Sequence, residues 1–177
     1  MTVLCGVLGI GLAVAFSDEM AKGPAVRLLL SEVEEGTMAS NQYCAVVFSN
    51  RSFHYEKSSR RLGKDKDRKV YEGELSQADW DALVGILDSK DFRELNVPQT
   101  VPPLVIEDAH TFTISVARGS KFQNMEFLDK RSRKPYESQL KPLLQWWKSF
   151  RSGRRVESNA PPDEKCSLDN THPVFSQ

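Results

Sequence analysis

Three histidines and a scatter of carboxylates are the residues through which this 177-residue chain could do acid–base or metal chemistry. His110 is the most suggestive. It follows Glu107-Asp108-Ala109, and a carboxylate two residues away can orient an imidazole as a general base. One reading is therefore a hydrolase or metal-dependent enzyme organised around His110 and Asp108. The plainer reading, and the one the spacing favours, is an exposed histidine at the entry to a strand beside a polar turn. His54 alternates with Phe53 and Tyr55, so it faces away from the apolar side of that strand. His172 falls in a polar C-terminal stretch. No Gly-x-Ser-x-Gly elbow, His-Glu-x-x-His, Cys-x-x-Cys or calcium-loop spacing occurs. The glycine-rich Gly6-Val-Leu-Gly9-Ile-Gly11 lies inside an apolar leader, where export explains it better than phosphate binding does. No cofactor or metal is expected.

Charge is the second chemical resource. Lys+Arg and Asp+Glu both number 24, so the formal net charge is zero, against the basic excess of a dedicated nucleic-acid binder. The cations are nevertheless clustered. Lys57 to Lys69 holds seven basic and two acidic residues with Leu62 its one apolar residue, and Lys130-Arg131-Ser132-Arg133-Lys134 forms a second group. Arg60, Arg61, Lys64, Arg131 and Arg133 are thus candidate contacts for a polyanion. Solvated charged loops are the ordinary alternative, and the first cluster is read as such a loop.

The N-terminus indicates a destination. Val3 to Phe16 is an uncharged run of 14 residues, a helical rise of about 21 Å against a hydrocarbon core of roughly 30 Å. This length suits a signal-peptide h-region better than a membrane span. Ala13-Val14-Ala15 supplies the small-x-small pattern for cleavage after Ala15, with the leader extending as far as residue 21 at most. No Lys or Arg precedes the run: either the basic n-region is missing or the true start lies upstream. Residues 1–15 are therefore expected to be a signal peptide, and the product periplasmic or extracellular, with no stable membrane span in the mature chain. Cys5 lies at the start of the apolar run instead of after it and follows Thr2-Val3-Leu4, which excludes a lipoprotein site. Cleavage leaves Cys44 and Cys166, which an oxidising compartment permits to pair, although Cys44 also suits a small core position.

The elements that must position these groups follow from periodicity. Ala25 to Ser31 is a strand-like run. Cys44 to Phe48 and Phe53 to Tyr55 flank a turn at Asn50-Arg51, a register that sets Phe48 opposite Phe53 and Val46 opposite Tyr55. Val70 to Leu75 is a brief strand. Ser76 caps a helix whose Trp80, Leu83, Val84 and Leu87 fall at i, i+3, i+4 and i+7, ending near Lys90. Thr111 to Ala117 alternates strictly, and Gly119-Ser120 carries the glycine-first signature of a type II′ turn. That turn pairs Phe112 with Phe127, Ile114 with Met125 and Val116 with Gln123. Tyr136, Leu140, Leu143, Leu144, Trp147 and Phe150 mark a second amphipathic helix, with Ser138 as its cap and Trp146 at the edge of the core.

The expected fold is α+β: an antiparallel sheet of four to five strands, mostly two hairpins, with two amphipathic helices packed on one face. A single domain spans residues 25–150, and 151–177 reads by composition as a disordered tail. This order of hairpin, capped helix, hairpin and closing helix, prompted by Ser76 to Leu95, resembles that of many small exported bacterial domains. The likeness covers roughly Ala25 to Phe150 and transfers no catalytic residue. Because no reactive groups converge on this scaffold, the expectation is an exported, non-enzymatic interaction module whose partner is an unidentified protein or envelope component, and the balanced charge argues against nucleic acid.

Overall fold

The computed structural model describes residues 25–64, 67–98, 110–163 and Cys166. The leader, Asp108 and His172 lie outside these residues. The chain forms β1 (Val26–Glu35), β2 (Ala39–Phe48), β3 (Ser52–Arg61), β4 (Asp67–Glu74), α1 (Gln77–Asp88), α2 (Lys90–Arg93), β5 (His110–Arg118), β6 (Lys121–Phe127), α3 (Lys130–Arg133) and α4 (Glu137–Ser152). All six strands belong to one antiparallel sheet in the order β4-β3-β2-β1-β5-β6.

Six strands correct the expected four to five, and the short helical pieces α2 and α3 add to the two helices expected. The physical reason is charge. The basic stretch Lys57 to Lys69, read as a solvated loop, instead supplies the end of β3 and the start of β4, with Lys57 opposite Lys69 and Ser59 opposite Asp67. Backbone hydrogen bonds build a ladder whatever the side chains are, and charge is common on an edge strand such as β4. Likewise β1 runs on through its acidic end to Glu35.

The two hairpins read from sequence fare differently. In the second, Gly119 has φ +67° and every pair from Phe112–Phe127 to Val116–Gln123 forms as the two-residue turn requires. In the first, Arg51 adopts φ +73° and the connection takes three residues, Ser49 to Arg51. A type I turn followed by a left-handed residue is the usual way to close such a loop. Val47 therefore faces Phe53, Val46 faces His54 and Ala45 faces Tyr55, one residue away from the register expected.

One face of the sheet presents Leu28, Leu30, Ala45, Val47, Phe53, Tyr55, Phe112, Ile114, Val116, Met125 and Phe127 to Leu83 and Leu87 of α1 and to Leu140, Leu143, Trp147 and Phe150 of α4. Ser76 accepts the Asp79 backbone N–H at 3.1 Å, the cap expected for α1. Ser89 then starts α2, which carries the buried Phe92. A helical turn at Lys134–Tyr136 leads into α4 without a side-chain cap, so α4 begins one residue before Ser138 and carries Pro142 at its sixth position. Trp146 is buried, stacks on Phe150 at 5.1 Å and donates Nε1–H to the Asp79 carbonyl at 3.3 Å.

The other face is smaller and carries Leu29, Cys44 and Val46 in contact with Cys166. Over the stretch assigned by composition to the tail, the described residues make specific contacts. Ser158 N–H donates to the Val70 carbonyl at 2.8 Å, Lys69 pairs with Glu157 at 3.0 Å, and Cys44 is disulfide-bonded to Cys166, 122 residues away.

Candidate functional site

Two clusters unite histidine with carboxylates, one on each face of the sheet. On the helix-covered face, alternation along β1 places Glu32 in line with Leu28 and Leu30, where it is 7% exposed. Antiparallel pairing sets His110 of β5 opposite Glu34 and Phe112 opposite Glu32. His110 Nε2 lies 2.7 Å from Glu32 Oε1 and 3.8 Å from Glu34. The other oxygen of Glu32 accepts from Trp147 Nε1 at 2.7 Å and from the Arg151 guanidinium. Trp147 and Arg151 are i, i+4 neighbours on α4, and Arg151 also lies over the Tyr43 ring at 3.9 Å from its centroid. One carboxylate thus ties two strands to the closing helix.

His110 is where the sequence directed attention, but the carboxylate the structure brings to it is Glu32. His110 Nδ1 and Ser31 Oγ are buried without a hydrogen-bond partner. A histidine held through Nε2 with Nδ1 free has the form of a general base. Its carboxylate, however, is shared with a guanidinium and an indole, which fixes Glu32 as a structural hub. The hydroxyls nearby are poor nucleophiles. Burial raises the Tyr43 phenol, outweighing the opposing charge of Arg151, and pushes Tyr55 up to about 12 despite Arg151 and Arg155. Glu32, Glu34 and His110 could offer a metal ion three ligand atoms within 4.8 Å of one another. The Arg151 guanidinium on the other oxygen of Glu32 already compensates that carboxylate and repels a second cation beside it.

On the opposite face, β3 alternates His54, Glu56 and Ser58, all buried. His54 Nε2 lies 2.8 Å from Glu56 Oε1 and its Nδ1 3.4 Å from Glu72 Oε1. Glu56 also accepts from the Arg68 guanidinium, and from the Asp163 backbone N–H at 2.7 Å. The Cys44–Cys166 bond adjoins this network, because Cys44 pairs with Glu56 across β2 and β3. Cys166 could join His54 and Glu56 as a ligand set only as a free thiolate, and the disulfide occupies its sulfur.

Burial opposes ionisation of Glu56, but the bonds from His54, Arg68 and Asp163 outweigh it and hold the carboxyl below its ordinary value. Burial likewise opposes protonation of His54, while the bonds to Glu56 and Glu72 and the charges of Glu56 and Asp163 raise its pKa above 6.5. A depressed carboxylate stabilises the fold above the ordinary range near 4 and loses that contribution as pH falls through its folded value. A raised histidine stabilises below 6.5 and loses its contribution as pH climbs through its folded value. Stability from this cluster is therefore expected to be fullest in mildly acidic solution. Melting temperatures measured between pH 5 and pH 8 should fall as pH rises (about those limits). The His54→Gln variant should flatten that slope, and an unchanged slope would exclude His54 as its source.

The basic candidates lie elsewhere. Arg60, Arg61 and Lys64 are exposed at the β3–β4 turn, and Arg131 is exposed on α3. Arg133 is half-buried, its guanidinium 5.5 Å from the centre of the Phe112 ring. Sequence reasoning missed Glu32, Trp147, Arg151, Tyr43, Glu56 and Arg68. The available signals were Glu32 continuing the Leu28–Leu30 alternation, and Glu56 sharing a strand face with His54. No protein-family model matches the chain, and no curated protein matches it.

Proposed function

We propose that this protein is an exported, non-enzymatic α+β binding module of the periplasm or extracellular space. The observation that carries the reading is the Cys44–Cys166 disulfide, which fastens residues 122 positions apart. Such bonds persist in oxidising compartments and are rare in a reducing cytosol. A targeting signal in the leader and a structural disulfide in the body then serve the same destination. The fate of the two histidines supports binding over catalysis. His54 is held between Glu56 and Glu72, and the carboxylate of His110 is bound by Trp147 and Arg151. Among the described residues, no helix is long and apolar enough to cross a membrane.

A second reading has His110 serve a hydrolase as general base through its unpaired Nδ1, which is buried and would meet a substrate only on local opening. A broad hydrolase panel run on the wild-type protein and on the His110→Ala variant separates the two. The binding reading expects no turnover from either. Turnover by the wild type that disappears in His110→Ala would overturn it.

A further inference from the structure

Strand direction brings several features together at one end of the sheet. β1 and β3 end there and β2 and β4 begin there, so the β1–β2 turn at residues 36–38 lies beside the β3–β4 turn that follows Arg61. Leu62 N–H donates to the Met38 carbonyl at 3.0 Å, joining the two turns directly. Met38 is 65% exposed and Leu62 73%, and among the described residues the one other large exposed hydrophobic is Val156. A hollow of about 540 Å³ separates the turns, bordered by Glu35, Ala39, Arg61 and Lys64.

β6 ends at the same end of the sheet, because Phe127 pairs with Phe112 and Phe112 with Glu32. It delivers α3, whose basic residues lie four strand spacings from β3, about 19 Å at the usual separation. Arg60, Arg61, Lys64, Lys130, Arg131 and Lys134 are all exposed, and none enters an ion pair among the described residues. Among the described residues the acids at this end are Glu35 at the end of β1, Asp67 at the start of β4, the partly buried Glu34 beside His110, Asp129, which accepts the Ser132 N–H at the start of α3, and Glu137, which borders a hollow with Lys130 and Lys134. The result is an apolar pair at the tips of two adjoining turns, with cations on both sides.

We propose that this end of the sheet docks on an anionic phospholipid surface, with Met38 and Leu62 entering the boundary between headgroups and acyl chains and the cations facing lipid phosphates. Cations alone would equally suit a soluble polyanion. The exposed apolar pair favours a membrane, because a soluble polyanion gives it nothing to enter, whereas a bilayer removes it from water. Each basic side chain near such a surface contributes about a fivefold gain in partitioning, so three together contribute about a hundredfold. This inference rests on the binding reading above and names its partner.

Cosedimentation of the protein cleaved after Ala15 with phosphatidylcholine vesicles, with and without phosphatidylglycerol, tests it. Binding is expected with phosphatidylglycerol and not without it, and should weaken as salt rises. The Arg60→Gln/Arg61→Gln/Lys64→Gln variant should bind about a hundredfold more weakly. The Met38→Ser/Leu62→Ser variant should lose roughly tenfold. All five positions are exposed, so a melting temperature matching the wild type confirms that the variants fold. Equal binding to neutral vesicles would assign adsorption to another segment and overturn the proposal. Full affinity after Met38→Ser/Leu62→Ser, with loss confined to the cation variant and competition by heparin, would replace the membrane with a soluble polyanion. Absence of vesicle binding would remove the lipid partner while leaving the disulfide and export, which are tested separately, intact.

Discussion

Replacing both Cys44 and Cys166 with alanine is expected to lower the free energy of unfolding by roughly 2–5 kcal/mol. The chain-entropy argument sets the upper end. A link across 122 residues restricts the unfolded chain enough to contribute about 5 kcal/mol. The native contacts that depend on the link set where the loss is felt. Asp163 N–H on Glu56, Ser158 on Val70 and Lys69 on Glu157 are few and lie along a single segment. Without the covalent anchor the segment opens more often, exposing His54 and Glu56, both now 5% exposed. Thermal unfolding should therefore move down by roughly 5–15 °C. Proteolysis within residues 153–163 should accelerate by more than global unfolding explains. An unchanged melting temperature would mean that the helix-covered core carries the fold alone.

The second large effect concerns Glu32. Glu32→Leu removes the acceptor shared by Trp147, Arg151 and His110 and leaves the Arg151 guanidinium facing an apolar side chain. Loss of one partner of a buried pair costs about 3–5 kcal/mol, chiefly through the charge left behind. Adding Arg151→Met removes that orphan charge and should recover part of the loss, so the two substitutions should not be additive. The indole N–H of Trp147 stays unpaired in either variant, which keeps recovery incomplete. Chemical denaturation of the wild type, both single variants and the double variant measures the loss and the non-additivity. If Glu32→Leu falls within about 0.5 kcal/mol of the wild type, the network contributes no more than an ordinary surface position.

What could be read from sequence, and what could not, follows from how local each determinant is. The β5–β6 register was legible because a two-residue turn with glycine first leaves one pairing that keeps Phe112, Ile114 and Val116 on one face. The β2–β3 register slipped by one because Arg51 takes the left-handed conformation, which sequence assigns readily to glycine or asparagine and seldom to arginine. The arms of β3 and β4 were hidden by their charge, since periodicity detects burial and those side chains remain solvated. At the candidate sites, local spacing suggested Asp108 as the partner of His110. Glu32 comes from 78 residues away, and only sheet order brings it near. His54 was placed on the correct side of its strand, away from Phe53 and Tyr55. Its burial there was not legible, because its cover comes from Asp163 and Cys166, which no periodicity connects to β3.

If the protein is the exported, disulfide-fastened module proposed above, an intact mass shows it directly. The protein should be recovered from the periplasmic or extracellular fraction with a mass corresponding to cleavage after Ala15. That mass should lie about two daltons below the value for two free thiols. Recovery from the cytosol with the leader attached and both thiols reduced would contradict it.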